Sequence, residues 1–284
     1  MAAVEATFKE QAVLFGRHEL VGIVTRPPPA QQTDEPAIVV LNTGIVHRVG
    51  HHRMYVSLSR ELAKRGRTVV RFDFAGIGDS KPRHDSTSPL MASMTDIREV
   101  LDSLEKSHDV HSFILVGLCS GADHAVLYTH TDPRVVGLVL MDPTLPPTFR
   151  YYVHYVMQRL KNVRNWISLA TGRSGLMRLV SAHLMNRVRP APEVEGISLH
   201  NLRFSSYLPQ CYRGAAARGV RMLAVMTSVS VRHTYKRQML DAFPEASAGC
   251  QLRLEFFPES DHLFSGAEVR DRLRAVICDW LDTR

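Results

Sequence analysis

SFILVGLCSGADHAVLYTH, residues 112–130, decides how this chain folds. Its first half is an almost unbroken apolar run, the pattern of a strand covered on both faces. Its second half carries apolar residues at helical spacing. Between the two stands Gly117-Leu118-Cys119-Ser120-Gly121, a turn with a glycine at each end. Glycine has no Cβ, so strand and helix can approach closely around the residue in the middle. A strand that turns straight into a helix is half of a βαβ unit, so the flanking sequence must repeat it if the sheet is parallel.

It does repeat. Upstream, AIVVLN (Ala37–Asn42) reads as a buried strand, MYVSLSRELAKRG ending at Gly66 as a helix, TVVRFDF (Thr68–Phe74) as a strand and MTDIREVLDSLEKS (Met94–Ser107) as a helix. Downstream, VVGLVLMD (Val135–Asp142) is again a strand. Two extended runs, Ala12–Phe15 and Leu20–Thr25, precede the proline-rich loop RPPPAQQTDEP, where ladder pairing stops. From Pro143 to Arg218 the rhythm breaks into a basic, aromatic-bearing helical stretch too long for an ordinary loop. The rhythm resumes with RMLAVMT (Arg221–Thr227), a helix near Tyr235–Phe243, the strand CQLRLEFFP and a last helix over Ala267–Leu281. The expectation is one α/β domain with a mostly parallel, doubly wound sheet: a core over 1–142 and 219–284, and a helical lid inserted at 143–218. Sites in such sheets gather at the carboxyl ends of the strands.

GLCSG in a strand–turn–helix context matches the nucleophile elbow, with Cys119 where GxSxG has serine. Order, lengths and motifs together resemble the α/β-hydrolase superfamily over nearly the whole chain. NTGIVHRVGHHRMYVSLSRELAKRG, RFDFAGIGDS and GLCSGAD further resemble the exosortase-system-associated hydrolase group, whose members carry a cysteine elbow. Polyhydroxyalkanoate synthases are similar only in a GxCxG box. The resemblance implies an acyl-enzyme chemistry, with a lid over the strand ends. A cysteine here suits that chemistry if a histidine and the following helix N-terminus favour its thiolate. Ser120 would lend its backbone N–H to an oxyanion hole, its hydroxyl being incidental. The second donor would be the amide of Ile45, after Thr43 and Gly44, which stand in for the superfamily's His-Gly-x.

FPESDHLFSG carries His262 where the superfamily has its base; Asp261, adjacent, points its side chain elsewhere. The usual acid position after the strand RMLAVMT reads TSVS, with Ser230 in place of aspartate. Asp142, at the end of the preceding strand, is the acid expected instead, as in thioesterase domains of the superfamily. The alternative is a Cys–His dyad, with Asp142 only closing the strand.

His47 and Arg48 belong to a cationic loop with His51, His52 and Arg53. They suit substrate contact, or Arg48 pairs with the acidic end of RFDFAGIGDS. No cysteine or carboxylate companion suggests a metal there, and GIGDS lacks the third glycine of a dinucleotide fingerprint. No cofactor is expected. Tyr151, Tyr152, Tyr155, Met157 and Trp166 could line an acyl pocket or simply pack. The net charge of +7 comes without a basic block interleaved with aromatics, so nucleic acid is not an expected partner. Four scattered cysteines and no long apolar run point to a cytoplasmic protein without a membrane span. The function expected is a cysteine acyl hydrolase acting on a small-molecule ester or thioester, free or carried on CoA or an acyl carrier protein. The alternatives are an acyltransferase using the same intermediate and a binding protein that keeps the fold.

Overall fold

The computed structural model describes residues 8–146, 148, 150, 151, 153, 154, 157, 202–228, 235–244 and 251–283. Its strands are β1 (Lys9–Phe15), β2 (Leu20–Arg26), β3 (Ala37–Val40), β4 (Val69–Phe72), β5 (Phe113–Leu118), β6 (Val135–Met141), β7 (Arg221–Thr227) and β8 (Leu252–Phe257). Among the described residues they make one sheet in the order β1-β2-β4-β3-β5-β6-β7-β8. β2 runs antiparallel to both its neighbours, and every other pair is parallel.

The apolar runs explain the central strands. Every residue of β3, β4 and β5 is buried. Successive side chains alternate between faces, so Val39 and Leu41 enter one core cluster while Ile38 and Val40 enter the other. α2 (Pro89–His108), α3 (Ser120–Thr129) and α4 (Leu202–Ala217) cover the first face. α1 (Met54–Lys64) and α6 (Ala267–Asp282) cover the second. α5 (Gln238–Ala242) is a short helix between β7 and β8. The α/β-hydrolase expectation therefore holds for the fold.

Several element ends differ from the sequence expectation, β1 starting at Lys9 before Ala12 and β3 ending at Val40 before Asn42. α2 begins at Pro89, before Met94, because proline suits the first helical turn, where no N–H is needed. Leu208, Cys211, Tyr212 and Ala215 of α4 are buried in the main core, so this helix packs as a crossover helix ahead of residue 219. Most of the expected lid, with Tyr152, Tyr155 and Trp166, lies outside the described residues, as do Ser230 and Cys250.

The elbow depends on contact between backbones. A Cβ on Gly117 would stand 2.2 Å from the Gly121 carbonyl carbon, and one on Gly121 would stand 2.5 Å from the Asn42 carbonyl oxygen. Neither neighbour is a flexible side-chain end that could swing away. We expect Gly117→Ala and Gly121→Ala each to lower the unfolding free energy by ~1–3 kcal/mol or more, the range for overpacking. Urea denaturation monitored by circular dichroism checks it; an unchanged midpoint would show that the close approach is not needed.

Candidate active site

β5 delivers Cys119 into a conformation that L-residues rarely adopt, with φ 55° and ψ −119°. Its amide donates to the Met141 carbonyl at 2.9 Å, and its carbonyl accepts from the Asp123 amide at 3.1 Å. The turn is thereby held at both ends, and such strain persists only where the surroundings over-determine it. Cys119 is part-buried at the N-terminus of α3, whose first amides have no helical partner and whose dipole favours negative charge there.

Asp142 follows β6 directly. Its φ of 45° lies in the left-handed region, and its amide donates to the Val225 carbonyl at 2.8 Å. The carboxylate has no exposed surface. Oδ1 accepts from the Thr227 amide at 2.7 Å, and Oδ2 accepts from the Thr227 hydroxyl at 2.6 Å and from His262 Nδ1 at 2.8 Å. Thr227, the last residue of β7, was not singled out by sequence reasoning. Its only signal was a hydroxyl at the carboxyl end of a buried strand.

His262 sits in the loop between β8 and α6. Phe264, fully buried at φ 52°, anchors that loop with its ring 6.1 Å from Phe257 and nearly perpendicular to it. Asp261 turns away, accepting from the Ser265 amide at 2.9 Å. The Asp142 carboxylate, then a hydrogen bond with Cys119, raise the His262 pKa to about 9 against the opposing effect of burial. Nδ1 serves Asp142, so Nε2 is the nitrogen left for Cys119. The ends of β5, β6 and β8 thus join Cys119, His262 and Asp142 in one hydrogen-bonded chain. An arrangement of this kind can strip a thiol proton, hold it and return it.

Ser120 meets Gly44: the Gly44 amide donates to the Ser120 hydroxyl at 2.7 Å. Ile45, next in the turn, has its side chain almost wholly in solvent. His47 is exposed. Arg48 is turned to its own chain. Its amide donates to Asp73 Oδ1 at 2.5 Å, while its guanidinium donates to Asp73 and, at 2.5 Å, to Asp79. Those carboxylates belong to the RFDFAGIGDS segment, so Arg48 braces the loops after β3 and β4, the second of its two expected destinations. His51 lies close to His262. Its pKa is lowered by burial and then by the charges of His52 and His262. Among the described residues no group of three His, Cys, Asp or Glu side chains is placed to hold a metal ion, and no helix is long and apolar enough to cross a membrane.

A family model described as serine aminopeptidase, S33, matches residues 34–190. Among solved structures, the α/β hydrolase GrgF from Penicillium sp. sh18 is similar at 13% identity, covering 97% of this chain and 98% of that one, with a TM-score of 0.60. An esterase of Pyrococcus furiosus, Pf2001, is similar at 10% identity over 96% of this chain and 89% of its own, with a TM-score of 0.58. XC6422 from Xanthomonas campestris, described as an α/β serine hydrolase without a lid, is 15% identical over 98% and 97%, with a TM-score of 0.54. At these identities the likeness is one of fold. A comparison with curated proteins finds no match.

The raised His262 pKa makes a signed prediction. The folded chain binds this proton more tightly than the unfolded chain, whose histidine titrates near ~6.5. The resulting stability is fully present below ~6.5 and is lost as pH rises through about 9. Asp142→Asn removes the largest cause, so the NMR titration midpoint of His262 falls by at least about one unit. An unmoved midpoint would break the assignment of Asp142 as its partner.

Proposed function

The chain belongs to the serine aminopeptidase S33 family of α/β hydrolases, and from that premise we propose that it is an acyl hydrolase working through an acyl-cysteine on Cys119. The observation that carries this reading is the continuous chain Asp142–His262–Cys119, its carboxylate buried and its imidazole held largely protonated at neutral pH. A cysteine bonded to an imidazolium is poised as a thiolate. The resemblance of the elbow and its surroundings to the exosortase-associated hydrolases, which carry a cysteine at this place, supports the same assignment.

The Cys119 sulfur attacks the acyl carbon. The carbonyl electrons move to the oxygen, which the amides of Ser120 and Ile45 receive. As the tetrahedral adduct collapses, His262 gives its proton to the departing alcohol or thiol, leaving a thioester on Cys119. Water then loses a proton to His262, adds to the thioester and releases the acid, and the proton returns to the site. Asp142 keeps the ring in one tautomer throughout and stabilises its charge. An acyltransferase would differ only in the second nucleophile.

Two features favour esters, and thioesters above all, over the amides that the family description suggests. An amine leaves only with a proton fully delivered, and an imidazolium with a pKa of about 9 delivers it reluctantly. A thiol leaves readily as its anion. The net charge of +7 also suits an acyl group presented on the phosphates of CoA or on an acidic carrier protein. The reading as a binding protein loses its motive, because a carboxylate partner for His262 is present at Asp142.

Turnover of p-nitrophenyl esters, acyl-CoA thioesters and an aminoacyl p-nitroanilide tests the reading. Thioester and ester turnover should exceed that of the anilide, and Cys119→Ala should lower kcat/KM by at least ~10³-fold. For an alkyl ester, whose alkoxide leaves only when protonated, kcat/KM should also fall as pH rises through about 9, where His262 loses the proton that this leaving group needs. Activity that survives Cys119→Ala, or an alkyl-ester rate that climbs through that pH, contradicts the mechanism.

A further inference from the structure

β3 ends at Val40, and the Leu41 amide makes the last sheet bond of this strand, 2.8 Å to the Val116 carbonyl. Beyond it the chain turns at Thr43-Gly44-Ile45-Val46, closed by the Val46 amide donating to the Thr43 carbonyl at 2.9 Å. Gly44 stands at φ 53° with nothing within 4 Å of where a Cβ would lie. Its requirement is therefore conformational, that of a primed turn. With no sheet behind it, the turn is held by side chains.

These side chains come from the elbow and its neighbours. The Ser120 hydroxyl, buried at 7% exposure, accepts from the Gly44 amide. The Thr43 hydroxyl meets the Tyr55 hydroxyl at 2.8 Å. Tyr55 is fully buried, which pushes its pKa up to about 12, and its hydroxyl also bonds the backbone of Leu118, the residue before Cys119. Asn42 Nδ2 donates to the Val46 carbonyl at 2.8 Å. The amide on one side of Ile45 is engaged by Ser120, and the carbonyl that follows is engaged by Asn42. The Ile45 amide lies between these two engaged groups, and its own side chain, 93% exposed, does nothing to hold it.

Building on the acyl-cysteine reading, we propose that the Ser120 side chain is a positioning residue that ties the turn after β3 to the nucleophile elbow and so fixes the Ile45 amide as the second oxyanion donor. Ser120 then acts twice: its amide receives the oxyanion, and its hydroxyl sets the distance to the other receiver. The Tyr55–Thr43 pair is the second tie, anchored on the same strand end. One rigid unit thus carries the sulfur and both amides. A preorganised hole is worth most when its donors need not move as charge develops.

The test compares Ser120→Ala, Ser120→Thr and Cys119→Ala with the parent chain. Ser120→Ala should lower kcat on a p-nitrophenyl ester by ~10- to 100-fold, with KM within about threefold, since the lost interaction exists only in the transition state. Hydrogen exchange at the Gly44 amide should accelerate by about tenfold or more once its acceptor is gone. Alkylation of Cys119 by iodoacetamide should stay within about twofold, because displacement at a saturated carbon builds no oxyanion. Ser120→Thr keeps the hydroxyl and should recover most of the lost kcat. Full kcat in Ser120→Ala beside an inactive Cys119→Ala would overturn this proposal and leave the acyl-cysteine standing. So would unchanged Gly44 exchange, or alkylation falling in step with kcat. A fully active Cys119→Ala would instead remove the reading on which the proposal rests.

Discussion

A carboxylate out of reach of water stays charged only where hydrogen bonds and an opposite charge offset the lost hydration. Asp142 meets that requirement with two bonds from Thr227 and one from His262. Each of these partners is fixed in turn. Thr227 ends a buried strand, and the loop of His262 is anchored by Phe264. Removing the imidazole would leave a buried charge without its counter-charge, and removing the carboxylate would let the imidazole drift in protonation and in orientation. The pair therefore couples the folding of the sheet's carboxyl edge to the protonation state that the chemistry needs.

The same edge carries the elbow. Cys119 is held in a strained conformation by backbone contacts that only glycine allows, and its sulfur meets the ring that Asp142 orients. Burial alone would lower a histidine pKa, as it does for His124, which it brings down to about 4. His262 moves the other way because its partners outweigh desolvation. A serine hydroxyl would need a neutral base to lose its proton. A thiol beside an imidazole already held charged is the better chemical match, and this is the physical reason to favour Cys119 over the neighbouring Ser120.

The fold was legible because its strands announce themselves. AIVVLN, FILVGL and VVGLVLM are too apolar to be anything but covered on both faces, and the glycines of GLCSG leave one way for the chain to turn. The meeting of Cys119, Asp142 and His262 could be anticipated because all three close strands or follow them in a sheet whose order is constrained. The contribution of Thr227 and the hydroxyl of Ser120 was not legible. The former acts on Asp142, 85 residues away, and the latter on Gly44, 76 residues away, and neither pairing leaves a local pattern. Arg48 had two electrostatically sound destinations, and only the positions of Asp73 and Asp79 decide between them.

The central claim is a covalent one, so the most direct measurement is the mass of the acid-quenched enzyme early in turnover of an acyl-CoA or p-nitrophenyl ester, followed by peptide mapping. The account predicts one acyl group on Cys119, stable to the acid quench and released by neutral hydroxylamine as a thioester is. Acyl mass on Ser120, or undiminished turnover with no acyl group on the protein, would contradict it.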